Sequence, residues 1–202
     1  GGDCVERTVD HLISHSVYVN DPDGNGHEFY ADEMHDWRTI YNLDQEDEVT
    51  GEWDPLATAP KTVPFYNTDP EIRRVDRAPV HPSRLTGVRL GTRRLEPMLH
   101  FFTNVAGLTP RPMANDSDQI RLAGTMGRID LTLVPVAAGE AQGLQAFRLH
   151  LNEDVDMAAV AAALRAKGID ASLRPPEVPG EFEELAIRDP DGFVIEFHRS
   201  AF

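Results

Sequence analysis

From residue 84 to residue 199 the spacing of apolar positions switches twice between a period near two and a period near three and a half. Residues 84–92 alternate as a strand does, and residues 95–105 carry apolar side chains at helical spacing until Gly107 stops them. Strand-like runs follow at 119–123 and 128–136. The order then starts again. Residues 144–151 form a strand, 155–167 an alanine-rich helix closed by Gly168, and 170–173, 183–188 and 193–198 three further strands. The pattern predicts a βαβββ module twice, over 84–137 and 143–199.

The first 83 residues have a different texture. Residues 14–20 and 26–31 are strand-like and are joined by Asp21-Pro22-Asp23-Gly24-Asn25. Such a joint favours a tight turn, because proline presets φ and glycine or asparagine accepts a positive one. Over 33–83, Pro55, Pro60, Pro64, Pro70, Pro79 and Pro82 interrupt any long element. This stretch reads as a connection wrapped over a surface, with Trp37, Tyr41, Trp53, Phe65 and Tyr66 as anchoring rings.

One internal repeat crosses these regions. Asp21-Pro22-Asp23-Gly24 followed by Glu28-Phe29 matches Asp189-Pro190-Asp191-Gly192 followed by Glu196-Phe197, a separation of 189 − 21 = 168 residues. Alone, the turn tetrapeptide is common. Two copies with the same following glutamate, one closing a double βαβββ, are far more specific. Together they resemble the glyoxalase/bleomycin resistance/extradiol dioxygenase (vicinal oxygen chelate) superfamily, and among its members the two-domain extradiol dioxygenases of the catechol 2,3-dioxygenase type.

The resemblance implies an α+β fold in which paired βαβββ modules form a cupped mixed sheet. It implies that residues 1–32 are the C-terminal strands of an incomplete first, catalytic domain. Residues 33–83 are then the proline-rich acidic connection, and 84–202 a complete second domain expected to be non-catalytic. Members hold a divalent metal with two histidines and one glutamate, a set that leaves open positions on Fe(II). Fe(II) is therefore the expected cofactor, with Mn(II) or another divalent ion as alternatives.

Carried onto this sequence, the resemblance makes Glu28 the metal carboxylate, with both histidine ligands expected outside this chain. Tyr18 becomes the group that hydrogen-bonds the substrate oxygen, and His11 the acid–base group; His15 is a candidate for lining the substrate pocket. The chemistry suits these residue types, since an imidazole titrating near neutrality exchanges protons and a phenol steadies an oxyanion. In the second copy Ala186 stands where Tyr18 stands, Gly87 where a histidine ligand is expected, and residues 144–147 contain no histidine. Glu196 without imidazoles is expected to be structural.

Composition narrows the class. The chain has 202 residues and a formal net charge of −15, concentrated in residues 1–80, which hold 18 acidic and 6 basic residues. Such charge opposes a phosphate backbone, so nucleic acid is excluded as an expected partner. The acidic run over 44–54 reads as a solvated loop. The single cysteine, Cys4, makes no internal disulfide or zinc cluster. With no apolar run near 18 residues and no leader-like N-terminus, the expectation is a cytoplasmic protein without a membrane partner, forming a homo-oligomer.

The expected activity is ring cleavage of a small aromatic diol with O₂, in aromatic compound catabolism. Two alternatives stand beside it. One is a metal-free binding protein that holds an apolar ligand in the cup of the second domain. The other is a glyoxalase- or epimerase-like metalloenzyme.

Overall fold

The structure is a computed structural model that describes residues 5–11, 14–32, 51–54, 56–57, 78–112, 118–125, 127–152, 154–175 and 183–199. Trp37, Tyr41, Phe65, Tyr66, His35, Cys4 and most of the acidic run lie outside them. The chain divides into two compact units, Gly1–Arg73 and Arg74–Phe202.

In the first unit, β1 (Val5–Asp10), β2 (Ser14–Asn20) and β3 (Gly26–Asp32) form an antiparallel sheet in the order β1-β2-β3. Two of these strands are predicted by pattern; β1 is an addition. The β2–β3 joint is the expected turn. Asp21 Oδ1 accepts from the backbone N–H of Asp23 and of Asn25, both at 2.9 Å. Gly24 turns the chain at φ +87°, where any other residue would be strained. Trp53 returns to this sheet, donating from its indole to the Ser16 carbonyl at 2.9 Å and stacking on His15 at 4.7 Å.

Among the described residues, the second unit is a mixed sheet of eight strands carrying two helices. Its first module is β4 (Arg84–Thr92), α1 (Leu95–Asn104), β5 (Thr109–Arg111), β6 (Ile120–Ala123) and β7 (Ile129–Pro135). Its second is β8 (Gly143–His150), α2 (Met157–Ala166), β9 (Ala171–Arg174), β10 (Glu184–Arg188) and β11 (Val194–His198). The strand order β5-β6-β7-β4-β8-β11-β10-β9 places the modules back to back, with β4 and β8 antiparallel at the centre. Within each module the first and last strands are parallel. This is the α+β, paired-βαβββ architecture of the vicinal oxygen chelate fold.

The helices form where the pattern demands. Buried Met98, Phe101 and Phe102 share one face of α1. In α2 the buried set Met157, Val160, Ala161 and Leu164 recurs at helical spacing, and the Asp156 carboxylate caps the first turn by accepting from Ala159 N–H at 3.0 Å. That face packs on Leu151, Ala171, Leu185 and Phe197, the core of the second module. The cross-strand partners of Leu185 and Phe197 are therefore committed to the helix side. Ala186 and Glu196, one residue away on each strand, face the opposite side of the sheet. No described helix is long and apolar enough to cross a membrane.

Candidate functional site

Register decides what meets what on the three-stranded sheet. Arg7 on β1 pairs with Tyr18 on β2, and Tyr18 pairs with Glu28 on β3, so the three side chains stand in one row on one face. Ser16, two residues before Tyr18, shares that face. His11 follows β1 directly, its N–H donating to the Ser14 carbonyl at 2.9 Å.

These groups form a continuous hydrogen-bonded chain. Tyr18 Oη donates to Glu28 Oε1 at 2.8 Å, and Ser16 Oγ donates to the same oxygen at 2.7 Å. A carboxylate oxygen only accepts, so the phenolic proton is committed to Glu28, and His11 Nε2 at 3.1 Å must donate to the phenol oxygen. His11 Nε2 is 3.9 Å from Glu28 Oε1. All these donors address Oε1; among the described residues Oε2 has no partner. Glu28 is 42% exposed, so Oε2 is reachable.

The electrostatics follow from this arrangement. The hydrogen bonds from Ser16 and Tyr18 hold the Glu28 carboxyl below its usual range, keeping it ionised. The same Tyr18–Glu28 bond, with some desolvation and the Glu28 charge, pushes the Tyr18 phenol up, keeping it a donor at neutral pH.

Three of the four expected site residues, His11, Tyr18 and Glu28, are thus brought together. His15 is not with them. It lies on the opposite face of β2, stacked on Trp53 and 3.6 Å from the Asp10 carboxylate. Ser16 and Arg7 join the cluster without being expected from sequence. Arg7 Cζ sits 4.6 Å from the centroid of the Tyr18 ring. Ser16 carries no signal, because a serine inside a strand reads as ordinary; Arg7 does, being the only Lys or Arg before Arg38 in so acidic a segment.

A divalent metal fits this cluster in part. Glu28 offers one oriented carboxylate with a reachable oxygen, which is what a single ligand position needs. His11 Nε2 is occupied by the phenol. Among the described residues, no group of three or more His, Cys, Asp or Glu side chains converges to complete a site.

The equivalent place in the second unit is built differently. Glu196 pairs with Ala186 on one side and with Arg148 on the other, and Arg148 pairs in turn with Gly87. The row Gly87–Arg148–Glu196 crosses the centre of the sheet; the resemblance puts one histidine at Gly87, a second within residues 144–147 and the glutamate at Glu196. Glu196 is 2% exposed and lies 3.3 Å from Arg174, 3.6 Å from Arg148 and 3.7 Å from Arg89. Arg148 also binds Glu184, which is itself buried. Burial raises the Glu196 pKa, and the guanidiniums oppose that rise. At Gly87 an added Cβ would lie 2.8 Å from the Asp130 carbonyl oxygen, so a side chain there requires a strand to shift. Two of the three residues in this row, Arg148 and Glu196, are charged, whereas the binding-protein alternative expects an apolar cup.

Near the end of this face, Thr86 Oγ1 donates to the Arg148 carbonyl at 3.0 Å and accepts from His198 Nε2 at 2.6 Å. Desolvation, then Arg148, His150 and Arg84, push His198 down to about 3.

Known proteins share this architecture. Residues 84–197, more than half of the chain, match the family model described as Glyoxalase/Bleomycin resistance protein/Dioxygenase superfamily. An extradiol ring-cleaving dioxygenase from B. fuscum is similar at TM-score 0.51 and 23% identity, over 60% of this chain and 33% of that one. Homoprotocatechuate 2,3-dioxygenase from Arthrobacter globiformis is similar at TM-score 0.51 and 21% identity, over 61% of this chain and 38% of that one. The Mn(II)-bound glyoxalase from Novosphingobium aromaticivorans is similar at TM-score 0.60 and 17% identity, over 96% of this chain and 54% of that one. The chain thus spans about a third of the dioxygenase chains and about half of the glyoxalase. No curated protein matches it. At these identities the likenesses speak for the fold, and with the family match over residues 84–197 they place the chain in the glyoxalase/bleomycin resistance protein/dioxygenase superfamily.

Proposed function

We propose that the protein is a metal-dependent extradiol dioxygenase acting on a catechol-like aromatic diol with O₂. The observation that carries this reading is the chain His11–Tyr18–Glu28, in which a protonated phenol links an imidazole to an ionised carboxylate with one reachable oxygen. Glu28 would be one metal ligand through Oε2. The two imidazoles would come from outside the described residues, on a strand laid against β3 as β8 is laid against β11. Residues 1–32 would then belong to the catalytic domain and 84–202 to a non-catalytic companion, the assembly being a homo-oligomer.

A bound Fe(II), or Mn(II), supplies the chemistry that brings diol and O₂ to one centre. This chain's own groups do the rest. Ser16 and Tyr18 fix which oxygen of Glu28 faces outward. Tyr18 presents a phenol to a diol oxygen placed beside Glu28, and His11 takes or returns a proton through it. A glyoxalase- or epimerase-like reaction needs the carboxylate but has no evident use for the His11–Tyr18 pair, which is why the dioxygenase reading is preferred.

The test is to incubate the iron-loaded protein with catechol in air and follow the yellow ring-fission product together with O₂ uptake. Product formation with stoichiometric O₂ consumption supports the reading. Metal bound without O₂ uptake, alongside isomerisation of an α-keto thiohemiacetal, favours the glyoxalase-like alternative.

A further inference from the structure

We propose that Trp53 is a positioning residue for the His11–Tyr18–Glu28 face, acting on it from the opposite side of β2; this rests on reading that face as the diol site. Residues 51–54 return to the three-stranded sheet and touch it at four points. The Gly51 carbonyl accepts from the Asp10 N–H at 2.8 Å in an isolated antiparallel bridge. The Trp53 carbonyl accepts from Thr8 Oγ1 at 2.7 Å, and the Trp53 indole donates to the Ser16 carbonyl at 2.9 Å. The indole also stacks on His15, with 4.7 Å between centroids and 16° between planes. Asp54 then turns the chain, its Oδ1 accepting from the Leu56 N–H at 2.8 Å.

These contacts fall at two sensitive places. Asp10 immediately precedes His11, and Ser16 donates its hydroxyl to Glu28 Oε1 at 2.7 Å. The brace therefore grips both ends of the stretch that carries His11, together with one of the two donors that orient Glu28. β1 needs such a grip. Its only apolar residues are Val5 and Val9, its register shifts between Val5 and Arg7, and among the described strands it pairs with β2 alone. Ser16 is fully buried, so a shift of its main chain carries the hydroxyl with it instead of letting the side chain swing into solvent. The His11–Tyr18 and Tyr18–Glu28 bonds are 3.1 and 2.8 Å long. A displacement of about 1 Å breaks such bonds and can cost about a hundredfold in rate. The tie from Trp53 to Ser16 is one indole N–H, so phenylalanine keeps a stacking ring and loses the link.

The experiment compares the unaltered 202-residue protein with Trp53→Phe and Thr8→Val. In the metal-free protein at neutral pH, glutamate labelled with carbon-13 at its carboxyl reports the site by NMR, the Glu28 resonance being assigned from its absence in Glu28→Gln. Trp53→Phe is expected to shift that resonance and the Tyr18 ring signals, by more than Thr8→Val does, and to leave the Glu196 resonance in place. In the iron-loaded protein Trp53→Phe lowers kcat for catechol by about tenfold and changes KM by less than about twofold. An unchanged Glu28 resonance in folded Trp53→Phe overturns the proposal, because a ring that only packs would lower the urea unfolding midpoint and leave the carboxylate where it was. A Glu196 resonance that moves as far as that of Glu28 overturns it as well, as does an unchanged kcat in a protein that cleaves catechol. Should Trp53→Phe not fold, Thr8→Val, which removes only the bond to the Trp53 carbonyl, is read by the same signals. An unaltered protein that leaves catechol intact counts against the dioxygenase reading, and the Glu28 resonance then decides the role of Trp53.

Discussion

The two Asp-Pro-Asp-Gly hairpins are the same piece of backbone put to different uses. In each, the leading aspartate accepts from the N–H four residues on, and a glycine with φ near +86° closes the turn (Gly24 at +87°, Gly192 at +85°). In each, the glutamate is paired across the ladder with the residue ten before it, Tyr18 with Glu28 and Ala186 with Glu196. The side chains around the two glutamates then diverge. Ser16, which donates to Glu28, corresponds to Glu184, and Arg7, over Tyr18, corresponds to Ser172. One carboxylate is half exposed and held by neutral donors, and the other is buried among three guanidiniums. Neutral donors leave a carboxylate's charge available to a ligand, whereas guanidiniums consume it. A shared scaffold therefore says little about which copy does chemistry.

The sharpest way to break this contrast is metal content. In the iron-loaded protein Glu28→Ala is expected to lose bound iron, while Glu196→Gln keeps it, measured as metal per chain by atomic absorption. Equal loss in both would erase the proposed functional difference between the copies. Stability should run the other way. Glu196→Ala strands buried guanidiniums and is expected to cost about 3–5 kcal/mol in urea unfolding, whereas Glu28→Ala, at a half-exposed site, costs less than about 1 kcal/mol. Turning Tyr18 into its counterpart's class of side chain, as Tyr18→Phe, should lower kcat for diol cleavage by about a hundredfold, with secondary structure unchanged by circular dichroism.

A smaller effect separates the units by pH. The His198 imidazole, with a folded value of about 3 against 6.5 unfolded, is neutral in the fold and takes up a proton on unfolding. Its contribution is therefore fully present above about pH 6.5 and is lost as the pH falls toward 3, by up to about 1.4 kcal/mol per pH unit. His198→Gln should flatten that slope in unfolding curves collected from pH 7 to pH 4. The least effect, and an equal one, is expected from the turns themselves. Gly24→Ala and Gly192→Ala should each cost about 1 kcal/mol, because both require the left-handed region. Unequal costs would show that the hairpins differ in more than their side chains.

Much of the fold was legible because it repeats. The boundaries of β4 at Arg84 and Thr92 follow from alternation alone, and both helices follow from apolar spacing closed by Gly107 and Gly168. Two strands escaped for a physical reason. Val5–Asp10 has only Val5 and Val9 as apolar residues, with Arg7 between them and Glu6, Thr8 and Asp10 alternating, so its apolar stripe is too short to stand out and it becomes a strand by pairing with β2; Thr109–Arg111 is three exposed residues at a sheet edge. The cluster His11–Tyr18–Glu28 was legible through the resemblance of its run to a known family, which local periodicity alone does not supply. His15 did not join it: three residues before Tyr18 on the same strand, it falls on the opposite face by strand alternation, a signal the sequence already carried. The arginines around Glu196 were hidden too. Arg148 sits four residues beyond Leu144 in an ordinary strand, and its meeting with Glu184 and Glu196 depends on a parallel pairing that no local pattern shows.

Gly87 carries the longest reach of these details. Its missing side chain lets β4 run so close to Asp130 that the neighbouring carbonyl occupies the space a Cβ needs. Placing histidine there by a single codon change would collide with main chain before it could donate a nitrogen to anything. The vacancy acts as a latch on the second unit, since gaining a ligand there would demand movement of a strand at the middle of the sheet first, and then one further histidine to join Glu196.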